Sequence, residues 1–221
     1  MLEIKGYVGA AIEMILFASV AYLLRVGPLK GLAGVHYYWF CFTILTAYWE
    51  IVFVHWYNYV ALYAHALKEA NQSVWTTYYP ITMIAPNHLS CIFYADYGAW
   101  GDREYMNISI HGRTDYWSRL IESTHMIFCG FVCLASLLAT YRGYGFAGTV
   151  LGCAAMGAQC MNSVMYLAEY LLQCNDPKSV NANNATWPTG SWMLGRPFMW
   201  VNFFWTVMPI FIIYRWIVTQ A

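Results

Sequence analysis

Long apolar stretches separated by short polar ones run through the whole chain. Five of them reach the roughly 20 helical residues needed to cross a hydrocarbon core of about 30 Å, over roughly 7–26, 36–65, 119–141, 144–173 and 197–218. The pattern predicts an all-α fold: a single-domain integral membrane five-helix bundle spanning 1–221, with an intramembrane polar-lined pocket. Glu13 interrupts the first stretch and no small-residue cleavage site follows, so the first helix reads as retained and not as a cleaved signal peptide. Two longer connections remain. The stretch 66–118 is rich in aromatics (Trp75, Tyr78, Tyr79, Phe93, Tyr94, Tyr97, Trp100) and punctuated by Pro80 and Pro86. That composition suits an aromatic-rich capping loop at the membrane interface, with a simple connection as the alternative. The stretch 174–196 is polar, with Asn-Asp-Pro and Trp-Pro-Thr-Gly turn signals.

Against this background two acids stand out. Glu50 lies between Gly31–Trp49 and Ile51–Leu67, and Glu122 precedes Ser123–Tyr141, which carries no charge apart from the titratable His125. An ionisable group at membrane depth costs several kcal/mol unless it meets a partner or a wet cavity, so its default reading is functional. Composition agrees with the spans. The 221 residues are 60% hydrophobic and 10% charged, where soluble domains carry about 25% charged residues. Eleven basic and eleven acidic residues cancel, which gives no basic footprint for nucleic acid.

Arg25 and Lys30 lie between the first two spans, Arg142 between the third and fourth, and Arg215 near the end of the fifth. The positive-inside rule then predicts these ends to be cytosolic, with a lumenal N-terminus and a cytosolic C-terminus. The sequons at Asn71, Asn107 and Asn184 all fall on the lumenal side of that arrangement. The seven cysteines show no metal spacing. Cys41, Cys129, Cys133, Cys153 and Cys160 read as small packing residues within helices, and pairing of Cys91 with Cys174 is left open.

Spacing groups the polar residues. Thr46 and Glu50 share a face of the second span, Glu122 and His125 a face of the third, and Asn202 and Trp205 a face of the fifth. His55, five residues beyond Glu50, falls round the helix and outside the cluster. Glu13 and Glu169 are expected to snorkel at helix ends and His36 to be interfacial. Asp102, Arg103 and Glu104 are expected to form a loop salt-bridge cluster. The alternative reading of the main residues is structural: interhelical hydrogen bonds for Asn202, packing for Trp205, and helix-pinning pairs for the acids.

The segments WEIVFVHWY (Trp49–Tyr57), DYGAWGDREY (Asp96–Tyr105), IESTH (Ile121–His125), QCMNSVMYL (Gln159–Leu167) and NFFWTVMP (Asn202–Pro209) occur in the order found in the emopamil-binding protein family. The chain resembles that family, the sterol Δ8–Δ7 isomerases within the EXPERA group, across the second to fifth spans. The resemblance implies a pocket lined by Glu50, Glu122, Asn202 and Trp205. Thr46 occupies the family's histidine position, and His125 its threonine position. His and Thr have thus exchanged helices, which moves a proton carrier across the cavity. The resemblance also implies an endoplasmic reticulum location.

Such a site permits double-bond migration, in which one proton is delivered to an alkene carbon and another removed from a neighbour. The expected roles are Glu122 with His125 as the acid/base pair, Glu50 as the second carboxylate and Trp205 as the face that holds the intervening cation. Thr46 and Asn202 are expected to line the substrate. No metal or redox cofactor is required. The expected partners are the membrane and a hydrophobic lipid substrate (sterol, triterpenoid or other terpenoid), with a homodimer left open. The same devices could open an epoxide, giving a cyclase, or a hydrolase if water captures the cation. A non-catalytic lipid-binding or trafficking protein, like the sigma-two receptor branch, is the second class, and a structural membrane subunit the third.

Overall fold

The computed structural model describes residues 2–84, 86–101, 116–174, 176 and 197–220. Five helices among them are long and apolar enough to cross a membrane: Gly6–Leu24, Gly34–His55, Tyr116–Tyr141, Gly145–Leu172 and Trp200–Val218. The protein is a mostly helical integral membrane protein. Lipid offers no partner to a bare N–H or C=O, and a helix satisfies both within one segment. In chain order the elements are β1 (Glu3–Lys5), α1 (Gly6–Leu24) and a 3-10 turn (Gly27–Gly31), then α2 (Gly34–His55) and α3 (Tyr57–Glu69). Next come β2 (Tyr78–Pro80), a second 3-10 turn (Ile81–Ile84), α4 (Pro86–Asp96) and a π-helical stretch (Tyr97–Gly101). The third span is α5 (Tyr116–His125), a π-helical stretch (Met126–Phe131) and α6 (Val132–Tyr141); α7 (Gly145–Cys174) and α8 (Pro197–Gln220) complete the chain.

The second predicted helix, 36–65, is divided in two. Trp56 adopts φ −104° and ψ 22°, yet its N–H still reaches the Val52 carbonyl at 2.9 Å and its own carbonyl accepts from Val60 at 3.0 Å. The chain bends here while those two backbone bonds hold, and neither proline nor glycine marks the place. The bend lets α3 turn Tyr57, Val60, Ala61, Ala64 and Leu67 onto α4 and the following π-helical stretch, leaving Asn58 and Glu69 exposed.

The connection after α3 is a folded unit. β1 pairs antiparallel with β2, Ile4 opposite Tyr79, so a two-stranded sheet joins the expected helices. Trp75 stacks on Phe93 at 5.0 Å, and the Tyr63 and Tyr79 hydroxyls meet at 2.7 Å. Asp96 accepts the Val74 N–H at 2.9 Å; its burial raises its pKa above the ordinary 3.8. Asp102, Arg103, Glu104, Asn107 and Asn184 lie outside the described residues, as does nearly all of 174–196. Asn71 is exposed.

Two apolar clusters result. One joins Phe53, Val60, Ala64, Leu89, Ile92 and Tyr170 under the folded connection. The other joins Tyr37, Phe40, Cys133, Met156, Ile212 and Trp216 within the bundle. Close approach of α2 to the third span is set by Gly130, where a Cβ would stand 2.1 Å from Ala47 Cβ. The turn Gly27–Gly31 packs on α6, which brings Arg25 and Lys30 to the same end as Arg142. Cys41, Cys91, Cys129, Cys133, Cys153 and Cys160 are free thiols, so Cys91 is unpaired; the Cys174 side chain lies outside the described residues.

One expectation about an outlying residue fails. Glu13 does not snorkel: it is buried and accepts the Trp49 indole N–H at 3.1 Å, because α1 packs on α4 at this level. His36 is buried within the protein, its ring 4.6 Å from that of Trp216. Glu169 is half-buried.

Candidate functional site

Between the two apolar clusters lies a cavity of about 360 Å³. All six residues singled out from the sequence line it: Thr46, Glu50, Glu122, His125, Asn202 and Trp205. Helix spacing does this locally. Thr46 and Glu50 lie one turn apart on α2, as do Glu122 and His125 on α5, and Asn202 and Trp205 on α8. Trp49 of α2 and Trp75, Phe93 and Tyr94 of the folded connection add wall, and His55 is exposed on the far side of α2.

The polar partners differ from the expected ones. His125 reaches across the interface, its Nδ1 standing 2.6 Å from Glu50 Oε1, with both side chains over nine-tenths buried. The approach lies off the axis of a linear hydrogen bond, and Glu50 Oε2 has no hydrogen-bond partner among the described residues. A proton on Nδ1 removes the repulsion of two facing lone pairs, although the angle leaves His125 Nδ1 without a hydrogen bond among the described residues. Glu122 instead accepts the Tyr94 hydroxyl at Oε2, 3.0 Å away. Burial, followed by the nearby Glu122, pushes the Tyr94 phenol well above its usual pKa and keeps it a donor. His125 thus makes its close contact with Glu50, while Glu122 bonds Tyr94. The wide turn Met126–Phe131 begins immediately after His125, and such bulges recur at functional sites.

The aromatic wall is ordered. Trp205 stacks on Phe42 with centroids 5.3 Å apart and planes within 1°, and it meets the His125 ring edge-on at 5.5 Å. Thr46 donates to the Thr43 carbonyl at 3.1 Å, within its own helix.

Behind His125 stands a network that spacing did not reveal. Gln159, fully buried on α7, accepts the Trp39 indole N–H at 2.8 Å. Its Nε2 lies 3.0 Å from His125 Nε2 and 3.3 Å from Thr43 Oγ1. Asn162 donates to the Ile121 carbonyl at 2.9 Å and to Thr124 Oγ1 at 3.0 Å, tying α7 to α5 beside the cavity. Tyr97 and Tyr166 join their hydroxyls at the cavity edge. The available signal was weak: a neutral amide inside a long apolar helix reads equally as helix-to-helix glue.

Among the described residues no group of three or more His, Cys, Asp or Glu is placed to hold a metal ion. The arrangement supplies two carboxylates, a phenol and an imidazole around one largely apolar space. No protein-family model, curated protein or solved structure matches the chain.

Proposed function

We propose that the protein is a membrane-embedded, cofactor-free acid/base isomerase or cyclase acting on a sterol- or terpenoid-like lipid, as its resemblance to the emopamil-binding protein family implies. The observation that carries this reading is that Glu50 and Glu122, from different spans, line one cavity together with the Trp205 indole. Pockets of a few hundred Å³ with apolar walls and few polar groups suit small hydrophobic ligands.

In this reading Glu122 delivers a proton to an alkene carbon or epoxide oxygen, and the Tyr94 hydroxyl stabilises the carboxylate left behind. A carbocation forms on the substrate. The face of Trp205 offsets its charge, worth up to about 2 kcal/mol in a desolvated site. Glu50, held by His125, removes a proton from a neighbouring carbon, and the C–H electron pair becomes the new double bond. The two carboxylates exchange their protons with water between turnovers. Asn202 orients the substrate. This assignment gives His125 to Glu50, in place of the acid/base pair with Glu122 expected from spacing. The folded unit of 70–101 serves as the cap over the cavity. The basic ends face the cytosol, with the N-terminus in the lumen of the endoplasmic reticulum.

The test is conversion of a panel of sterol dienes and epoxy-polyenes by membranes holding the wild type or Glu122→Gln. The variant is expected to bind these lipids and convert none. Full conversion by a folded Glu122→Gln protein would overturn the assignment. Tight binding with no conversion by the wild type would favour the lipid-trafficking class.

A further inference from the structure

We propose that Gln159 is a positioning residue that holds His125 as its Nδ1–H tautomer and thereby keeps Glu50 the proton acceptor of the pair. The inference deepens the acid/base reading above and rests on it for its catalytic meaning, but its geometry stands on its own. An amide can be turned by 180° without changing shape, so its orientation must be argued from its neighbours. An indole N–H only donates, so the group 2.8 Å from Trp39 Nε1 is the Gln159 oxygen. The amide nitrogen then occupies the other end. There it meets Thr43 Oγ1, whose own hydrogen goes to the Trp39 carbonyl at 3.0 Å, leaving lone pairs to accept.

The remaining neighbour of that nitrogen is His125 Nε2 at 3.0 Å. An NH₂ group facing it requires a lone pair, so Nε2 carries no proton. A neutral imidazole with a bare Nε2 bears its hydrogen on Nδ1, where it faces Glu50 Oε1. Turning the amide over would set its NH₂ against the Trp39 N–H in a fully buried position, where each unsatisfied donor costs about 1–3 kcal/mol. Protonating Nε2 would set two donors face to face. His125 is therefore barred from acting as a second acid toward the cavity. The Nδ1–H then stands toward Glu50 Oε1, and the buried Oε2 of the same carboxylate has no hydrogen-bond partner among the described residues.

A purely structural role would tie α2 to α7 without selecting a tautomer, and the experiment separates the two. Full-length protein with ¹⁵N-labelled histidine, in lipid nanodiscs near neutral pH, is examined by long-range ¹H–¹⁵N correlation. The His125 signals are assigned by their loss in His125→Gln. The expected pattern is a pyrrole-like Nδ1 and a pyridine-like Nε2. Gln159→Glu replaces the amide NH₂ by an acceptor and should make Nε2 pyrrole-like. Its turnover on any lipid the wild type converts should fall about 10–100-fold with KM unchanged, the range typical of partners that orient a reactive group. A protonated Nε2 in the wild type, or an unchanged His125 spectrum in Gln159→Glu, overturns the proposal. If Gln159→Glu does not fold, the wild-type spectrum alone decides. The expected tautomer in a protein that converts no lipid would sink the enzyme reading and leave the tautomer lock intact.

Discussion

Gly130→Ala is the sharpest perturbation of the interface that carries the site. The new Cβ would stand 2.1 Å from Ala47 Cβ and 3.5 Å from the Thr43 carbonyl. Carbon atoms settle at about 3.5–4.0 Å, so α2 and the third span must separate by about 1.5 Å here. Overpacking of this kind costs roughly 1–3 kcal/mol. Replacing a helical glycine returns about 0.5–1 kcal/mol of backbone entropy, so a net loss of about 0.5–2 kcal/mol is expected. The site should suffer more than the fold. An opening of that size would carry the His125–Glu50 contact from 2.6 Å to beyond hydrogen-bonding reach. The assay is chemical unfolding in detergent alongside the His125 ring-nitrogen spectrum, for Gly130→Ala, Ala47→Gly and the pair together. Ala47→Gly removes the atom that clashes, so the double variant should recover both the His125 spectrum and at least about 0.5 kcal/mol relative to additivity. An undisturbed single variant, or strictly additive losses with no recovery, would refute the close-packing argument.

Three further outcomes follow. Tyr94→Phe removes the donor to the Glu122 carboxylate; a bond to a charged group is worth about 1.5–3 kcal/mol, so turnover should fall about 10–100-fold with little change in lipid binding, as read by steady-state kinetics. Trp205→Leu should lower kcat by up to about 30-fold, and Trp205→Phe by less, if the indole holds a cation; equal rates for the three proteins would exclude that role. Burial raises the Asp96 pKa, so the folded state binds that proton more tightly than the unfolded chain. Its stabilising contribution is complete below the ordinary value of 3.8 and is lost as pH climbs through the raised folded value. Melting curves across that window should show stability falling with rising pH, with a shallower slope in Asp96→Asn.

The membrane character and the membership of the cavity were legible because acids inside apolar helices are costly and therefore conspicuous. Glu50 and Glu122 announced themselves, one-turn spacing brought Thr46 and His125 with them, and the family resemblance added Asn202 and Trp205. The partners were not legible. Spacing says which residues share a face but not which side chain crosses to the next helix, so the contact of His125 with Glu50 did not show. The bend at Trp56 has no proline or glycine to mark it, and the packing of α3 on α4 beyond it is a matter of tertiary contact. Glu13 looked like a snorkelling acid since nothing in its own helix hints that the Trp49 indole waits for it across an interface. Gln159 lay hidden for a related reason: a neutral amide earns attention only once Trp39, Thr43 and His125 are seen to surround it.

The claim beneath all of this is that protons move between Glu122, a lipid and Glu50 inside one cavity. Turnover in heavy water measures it directly. For a substrate protonated at an alkene carbon, the account predicts one deuterium at that carbon of the product from the wild type, and none from Glu50→Gln or Glu122→Gln. From such a substrate, product formed without deuterium on carbon, or labelled equally by both variants, would contradict it.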